Sequence, residues 1–253
     1  MKNIAAALIF FTRLPLSRIK AFRLPAEYFR EVINYWAVVG WLTGGVMAGI
    51  LWLSAQFFPY PVAIIFTLLS RLLITGALHE DGLADFLDGF GGGINKERIL
   101  AIMKDSHIGT YGVVGLIFYF LLLYLLLSSL PISIACVVIL IADPLCKLIS
   151  SQMTRFLPYA RTEEASKSKI VYKKMSVKAL ITSCFFGLFP LSLMPDARYF
   201  IAILFPIITF GWMVHFMKKE IGGYTGDCCG ALFLLCELSF YICFVLLFNL
   251  LSV

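Results

Sequence analysis

The sequence has little charge for its length. Only 14% of its 253 residues are charged, whereas 60% are hydrophobic. Soluble globular proteins are about 25% charged and about 45–50% apolar. The shortage of charge therefore excludes a soluble globular domain, and the apolar content excludes intrinsic disorder. At roughly 20 residues for each bilayer crossing, the chain has room for six or seven membrane spans and no sizeable soluble domain.

The sequence also lacks any CxxC pair, although it contains seven cysteines. This absence argues against a zinc site or a dithiol redox centre. Most of the cysteines lie inside apolar runs, where a thiol behaves as a small buried hydrophobic group. We therefore expect no disulfide framework and no role for the cysteines in the chemistry.

Long apolar runs are what the sequence does contain. Seven of them are predicted to span the membrane: 32–57, 62–78, 111–130, 132–153, 179–194, 199–216 and 230–250. They must be helices, because lipid offers no hydrogen-bond partner to exposed backbone and the runs lack the alternation of a barrel. The prediction is one all-α domain over residues 1–253, a polytopic membrane bundle of about seven helices. The apolar stretch 4–11 is too short to span, and we expect it at the membrane surface or packed on the bundle.

The basic residues are unevenly distributed between the loops. Nineteen of the 21 lysines and arginines lie in 1–31, 79–110, 147–178 and 218–229, which seven spans place on one side. The positive-inside rule makes that side cytoplasmic, together with the N-terminus. This sorting explains the formal net charge of +6 without a nucleic-acid partner. Lys167, Lys169, Lys173, Lys174 and Lys178 are expected to be solvated or to lie near lipid headgroups.

An acidic segment directly follows the second predicted span. On a helix, Asp81, Asp85 and Asp88 stand at i, i+4 and i+7 and share one face. Three anionic groups on one stripe favour a bound cation, and carboxylates that work with substrate phosphates are typical of Mg²⁺. Glu80 and the glycine run at 89–93 adjoin the stripe, so that amides at Gly91 and Gly92 could approach a phosphate. A solvated helix end followed by a flexible glycine loop is the alternative.

Further polar groups fall on the same side of the membrane. Residues 97–112 predict a short amphipathic surface helix that ends in a polar turn, and 155–161 and 222–227 are two more polar loops. Arg71 lies inside the second span, where a charge requires a partner or a ligand. Arginines for phosphates, acids for a metal and glycines for close approach together favour phosphoryl transfer. His79 and His107 could be a base or a phosphate donor, or ordinary polar residues.

Several of these segments resemble the cobalamin synthase family. The resemblance rests on GALHEDGLAD at 76–85 with Asp88-Gly89, on MKDSHIGTYG at 103–112 and on GYTGD at 223–227. FTRLP at 11–15 and PYAR at 158–161 are also similar, so the resemblance covers nearly the whole chain. Lys104 departs from the arginine that is more usual in the family, which keeps a cation but loses bidentate pairing.

The resemblance implies the last step of adenosylcobalamin assembly. In that reaction the 5′-hydroxyl of α-ribazole, or of its 5′-phosphate, attacks the cobinamide-linked phosphorus of adenosylcobinamide-GDP, and GMP leaves. The family is Mg²⁺-dependent and multi-pass, with the lipid bilayer and these two small molecules as partners. Cytoplasmic motif loops are expected at about 79–110, 153–178 and 218–229.

Residue roles follow from combining the pattern with the resemblance. The hypothetical Mg²⁺ ligands are Asp81, Asp85 and Asp88, helped by Glu80 or Asp227. The hypothetical substrate-binding residues are Arg71, His79, Lys104, Arg155, Arg161, Tyr224, Gly91 and Gly92. Asp105 or His107 is expected to orient or deprotonate the attacking hydroxyl, and Asp88 is expected to take part in the chemistry.

Two other functions are compatible with parts of the pattern. The spacing of Asp85, Asp88 and Gly89 is similar to the DxxDG core of CDP-alcohol phosphotransferases, which act on lipid substrates. A cation transporter could use the acidic cluster as its ion site, but such sites lie near the bilayer midplane within repeats. Here the carboxylates follow a span, and the chain has no internal repeat. The lower-ligand base and the oligomeric state stay open.

Overall fold

The fold is a bundle of helices, which confirms the all-α prediction. The structure is a computed structural model that describes residues 2–20, 23–161, 172–173 and 175–251. Its α-helices are α1 (Lys2–Phe11), α2 (Trp36–Ser54), α3 (Tyr60–Thr75), α4 (Leu78–Gly92), α5 (Lys96–Lys104), α6 (Thr110–Ser128), α7 (Ile132–Ser151), α8 (Met153–Phe156), α9 (Val177–Leu188), α10 (Leu204–Ile221) and α11 (Gly226–Leu251). The 3₁₀ helices are Pro15–Arg18, Ala26–Tyr35, Phe189–Leu193 and Ala197–Ile203. Lys167, Lys169 and Lys174 of the charge argument lie outside the described residues.

Fewer helices than the seven predicted spans are long enough by themselves to cross a membrane. Among the described residues, five helical segments are long and apolar enough to cross: Ala26–Ser54, Thr110–Ser128, Ile132–Phe156, Ala197–Ile221 and Gly226–Leu251. Helices α3 and α4 reach that length only as a pair bent by 90°. The predicted span 179–194 corresponds to Val177–Leu193, an apolar helix shorter than those five, which ends as a 3₁₀ helix. The described residues therefore form a multi-pass membrane bundle with five candidate spans, or six if the bent pair is one span.

The bend between α3 and α4 has a local cause. Gly76 and Ala77 both adopt left-handed backbone angles, with φ of 68° and 57°. Two such residues in succession stop a right-handed helix. The backbone N–H of Arg13 donates to the carbonyl of Ile74 at 2.7 Å, and a side chain at position 76 would meet the Arg13 side chain. The N-terminal segment thus packs directly on the bend.

Helices α2 and α7 pack closely through two glycines. A Cβ atom at Gly40 would lie 2.5 Å from the Cα of Pro144, and one at Gly44 would lie 3.1 Å from the Cβ of Asp143. Small residues four apart are typical of close helix crossings in membranes. The buried Lys147 forms an ion pair with Asp143 one turn earlier in α7. The assignment of Lys147 to a cytoplasmic loop was therefore wrong, because α7 continues past it.

Helices α4 and α11 also approach through glycines, and this contact positions the site. A Cβ atom at Gly82 would lie 2.9 Å from the carbonyl oxygen of Asp227, and one at Gly230 would lie 2.9 Å from that of His79. The first turns of the two helices are therefore in backbone contact. The short helix α1 buries Ala5, Ala6 and Ala7, so it packs on the bundle rather than lying on the membrane surface.

Candidate active site

A first cavity lies where the beginnings of α4 and α11 meet. Its volume is about 130 Å³, and it is lined by Phe10, Phe11, Trp36, Leu78, His79, Asp81, Tyr159, Arg161, Tyr172, Gly226, Asp227, Cys229 and Gly230. Four residues that the sequence singled out therefore meet here: His79, Asp81, Arg161 and Asp227. They come from three separate segments of the chain. The cavity combines two carboxylates with a guanidinium. Beside them is an aromatic wall that is formed by Phe10, Phe11 and Trp36.

The aromatic wall holds His79 in place. The rings of Phe11 and Trp36 stack at 5.0 Å between centroids, and His79 lies 5.3 Å from Trp36 and 5.1 Å from Phe233. The imidazole is 2% exposed, and its Nε2 has no hydrogen-bond partner among the described residues. His79 is thus packed as a ring with one edge at the cavity.

The segment at 158–161 is fixed to the loop before α11. The backbone N–H of Ala160 donates to the carbonyl of Tyr224 at 2.8 Å, and that of Tyr224 donates to the carbonyl of Pro158 at 3.0 Å. Arg161 donates through Nη2 to the carbonyl of Leu100 in α5 at 2.8 Å. This bond holds the guanidinium at the edge of the cavity. Tyr224 is buried and does not line the cavity, so its part is structural in this conformation.

A second cavity lies at the other end of α4, beside α5 and the start of α6. It measures about 600 Å³ and is lined by Asp88, Gly92, Arg98, Ala101, Ile102, Asp105, His107, Ile108, Gly109, Thr110 and Tyr111. The buried Asp88 accepts hydrogen bonds from the backbone N–H groups of Gly109 at 2.7 Å and Gly112 at 2.8 Å, one on each carboxylate oxygen. Asp88 is thus an anchor for the start of α6 and lines a different cavity from Asp81, so its role as a metal ligand stays a prediction.

Asp105 and His107 form an exposed pair at this second cavity. The Nδ1 atom of His107 lies 2.6 Å from Oδ1 of Asp105, and the backbone N–H of His107 donates to the same oxygen at 3.0 Å. These hydrogen bonds lower the pKa of the Asp105 carboxyl below its usual value. The carboxylate therefore holds the imidazole in one orientation.

The glycine run does not form the expected phosphate cradle. Gly91 and Gly92 belong to the last turn of α4, where N–H groups point back into the helix and the dipole disfavours an anion. A side chain at Gly89 would meet Met103 of α5, and one at Gly91 would meet the ring of Tyr111. The glycines instead allow α5 and α6 to cross α4 closely.

Arg71 does not reach either cavity. Its side chain is completely buried, and Nη1 donates to Oε2 of Glu237 at 2.6 Å while Nη2 donates to the hydroxyl of Tyr119. Its Nε lies 3.2 Å from Oε1 of Glu80 in an ion pair. Arg71 and Glu80 are thus buried and ion-paired inside the bundle, and the expected phosphate contact of Arg71 and metal contact of Glu80 stay predictions.

The sequence reasoning missed the partners of this buried charge. Glu237 lies within the predicted span 230–250. Asp143 and Lys147 lie four residues apart within the predicted span 132–153. A charged residue inside an apolar run is a recognisable signal, because it requires a partner in the membrane. Glu237, Asp143 and Lys147 are charged residues inside apolar runs, just as Arg71 is, and each therefore also predicts a partner in the membrane.

The remaining predicted residues lie outside both cavities. Lys104 and Arg155 are exposed and line neither cavity, and Asp85 is half-buried between Asp81 and Asp88 on α4. Within the part of the chain that the structure describes, no three His, Cys, Asp or Glu side chains converge as a ready-made metal centre. Asp81 thus lines the first cavity, near the start of α4, and Asp88 lines the second cavity, nearer its end, with Asp85 between them.

The helical fold and the first cavity define the general class of the protein. The chain is a helical membrane protein with a cavity lined by two carboxylates and an arginine, where the first turns of α4 and α11 meet. It belongs to the cobalamin-5-phosphate synthase family, which it matches over residues 3–245. The protein is accordingly a transferase of cobalamin biosynthesis, as the resemblance implied.

Individual relatives agree with the family over almost the whole chain. An adenosylcobinamide-GDP ribazoletransferase of Shewanella oneidensis is 34% identical over 244 residues, which covers 95% of this chain and 92% of the relative. The enzyme of that name from Vibrio cholerae is 36% identical over 93% of this chain and 90% of the relative. The one from Vibrio parahaemolyticus is 36% identical over 96% and 91%. No solved structure matches the chain.

Proposed function

We propose that this protein joins α-ribazole, or its 5′-phosphate, to adenosylcobinamide-GDP and releases GMP. The product is adenosylcobalamin, or its 5′-phosphate. The observation that carries the proposal is the meeting of Asp81, Asp227 and Arg161 at one cavity, on three segments of a chain whose relatives bear the name of this transferase. The new bond joins the ribazole 5′-oxygen to phosphorus, and the bond from phosphorus to GMP breaks.

The donor set of the first cavity fits Mg²⁺. This ion is commonly held by one or two protein carboxylates together with substrate phosphates and water, and it does not need a cage of protein ligands. Asp81 and Asp227 line the same cavity, with Asp85 one turn further along α4. We assign the first two as ligands and Asp85 as the adjacent third. A bound ion would supply charge neutralisation on the oxygens of the diphosphate.

Arg161 is the cation placed to bind a phosphate. A guanidinium pairs with phosphate oxygens through parallel N–H groups, and its bond to Leu100 fixes it at the cavity edge. Lys104 and Arg155 are exposed on the same cytoplasmic loops and supply weaker, screened attraction. His79, packed with one edge at the cavity, is assigned to substrate contact.

The proton of the attacking hydroxyl is assigned to the Asp105–His107 pair. Because Nδ1 of His107 is engaged by Asp105, Nε2 is the nitrogen that can accept a proton. Helix α5 connects the two cavities: the carbonyl of Leu100 accepts a hydrogen bond from Arg161 of the first, whereas Ala101, Ile102 and the adjoining Asp105 line the second. The second cavity is therefore the place we assign to the ribazole substrate.

The membrane orientation is part of the same proposal. We count the bent pair and the shorter apolar helix Val177–Leu193 as crossings, which places the loops with most lysines and arginines on the side of both cavities, and such loops stay in the cytoplasm. We therefore assign the N-terminus and both cavities to the cytoplasmic side of the cell membrane, within one integral membrane domain.

A two-substrate assay tests the function. The purified chain in lipid receives adenosylcobinamide-GDP with α-ribazole in Mg²⁺, and a parallel sample receives a CDP-lipid with an alcohol acceptor. We expect a cobamide and GMP in the first sample only. A CMP-releasing reaction in the second sample, without cobamide in the first, would make the chain a CDP-alcohol phosphotransferase instead.

A further inference from the structure

The buried guanidinium of Arg71 on α3 contacts side chains of three other helices. From α3 it bonds Glu237 in α11 at 2.6 Å and the hydroxyl of Tyr119 in α6, and it pairs with Glu80 in α4 at 3.2 Å. All four side chains are at most 3% exposed. The group is thus shielded from water, where electrostatic attraction is least screened.

Two of these partners lie on the helices that carry the carboxylates of the first cavity. Glu80 immediately precedes Asp81 on α4. Glu237 follows Asp227 by ten residues on α11, which is about 15 Å along one continuous helix. A single side chain therefore ties the helix of Asp81 to the helix of Asp227.

Several contacts position α4 against its neighbours, among them the two backbone hydrogen bonds that Asp88 accepts near its end. The 90° bend at Gly76 and Ala77 interrupts the helical hydrogen bonds between α3 and α4, so α3 does not impose a direction on α4 by continuity. The contacts of Gly82 and Gly230 with the facing backbone set how closely α4 and α11 approach. The directional contacts of Arg71 are its hydrogen bonds to Glu237 and Tyr119, and the ion pair with Glu80 at 3.2 Å adds charge attraction toward α4.

We propose that Arg71 is a positioning residue for catalysis, which holds Asp81 and Asp227 at the spacing that binds the metal. The inference rests on the proposed function of that cavity. A buried ion pair adds little stability compared with a well-packed apolar replacement. The arrangement of the two carboxylates is what the network contributes.

The test neutralises the network without leaving a buried charge unpaired. The triple variant Arg71→Met, Glu80→Gln, Glu237→Gln removes all three charges together, and Arg71→Lys keeps the charge but loses the forked geometry. The matched control is Asp143→Asn with Lys147→Met, which removes the buried ion pair of α7, whose hydrogen bonds go to Thr43 of α2 and not to the carboxylates of α4 or α11. Binding of Mn²⁺, a spectroscopic substitute for Mg²⁺, is measured by electron paramagnetic resonance, and thermal unfolding is measured on each variant.

We expect the Mn²⁺ dissociation constant of the triple variant to rise about 10–100-fold, the range seen when groups that orient metal ligands are removed. Arg71→Lys should show a smaller rise, and the control should bind Mn²⁺ like the unaltered protein even if its Tm changes. Unchanged Mn²⁺ affinity in a folded triple variant, or an equal loss in the control, would overturn the proposal. Mn²⁺ binding is measured without substrates. The Mn²⁺ affinities of the triple variant and the control can therefore be compared even if the two-substrate assay fails.

Discussion

Asp81 and Asp88 lie two turns apart on α4, yet the structure uses them for different purposes. Asp81 is exposed at the first cavity, near Asp227 across the contact with α11. Asp88 is buried, and each of its carboxylate oxygens accepts a backbone N–H from the polar turn and the start of α6. The difference shows that the neighbouring helix decides what a carboxylate does: α11 leaves Asp81 open to a ligand, whereas the polar turn and α6 occupy Asp88.

The largest effect should come from removing the charge at the first cavity. Asp81→Asn and Asp227→Asn keep size and polarity but weaken the proposed ligand set. We expect kcat to fall about 10²–10³-fold or more, the effect of removing one preorganised electrostatic group, with little change in Tm. The assay is GMP release in Mg²⁺. Asp196→Asn, at an exposed aspartate far along the chain, is the control and should keep full activity.

Asp88→Asn should instead act on the fold. An amide can accept only one of the two backbone hydrogen bonds and directs its own N–H₂ at the other, so a buried donor is left unsatisfied. We expect a loss of about 1–3 kcal/mol in unfolding free energy. Thermal unfolding in detergent measures this loss. If Asp88→Asn unfolds normally but loses activity as completely as Asp81→Asn, the contrast between the two aspartates is wrong.

A pair of glycine substitutions compares the packing at the two ends of α4. A Cβ atom at Gly82 would lie 2.9 Å from the Asp227 carbonyl, so Gly82→Ala should force α4 and α11 apart and cost about 1–3 kcal/mol by overpacking. A Cβ atom at Gly92 would meet only the flexible end of Ile102 at 3.5 Å. We therefore expect Gly92→Ala to be neutral or to stabilise α4 slightly. Equal Tm values for the two variants would contradict this account of the α4–α11 contact.

The smallest expected effect concerns pH and the second cavity. Hydrogen bonds from His107 lower the pKa of Asp105, so the carboxylate stays ionised to a lower pH than an ordinary aspartate. His107→Ala removes the side-chain bond, and the Asp105 pKa should rise toward its usual value. An isotope-edited NMR titration of the Asp105 carboxyl should then show its midpoint at higher pH in His107→Ala than in the unaltered protein. A midpoint that stays in place would contradict the pairing of Asp105 with His107.

How far the site could be predicted depends on the kind of contact involved. Asp81, Arg161 and Asp227 were identified because acidic, basic and glycine-rich segments recur on one side of the membrane, and that sorting needs only the order of spans and loops. The pairing of Arg71 with Glu80 and Glu237 could not be read in the same way. It depends on the 90° bend after Thr75, which folds α4 back so that Glu80 meets Arg71.

The glycine run illustrates the same limit. The glycines at 89 and 91–93 are compatible with a phosphate loop and with a close helix crossing, since both need a backbone without side chains. Only the position of α5, with Met103 over Gly89, separates the two interpretations. The sequence therefore predicted the presence of a close approach and misassigned its partner.

The sequence by itself determined that this is a helical membrane protein with its polar motifs on one side, because lipid excludes charge and leaves it in the loops. The sequence also identified the family, because motifs of that family occur along most of the chain. The tertiary structure decided which of the three aspartates on α4 faces a cavity and which buried charges neutralise one another. Those outcomes depend on how α4, α6 and α11 approach in space, and the spacing of residues along one helix does not contain that information.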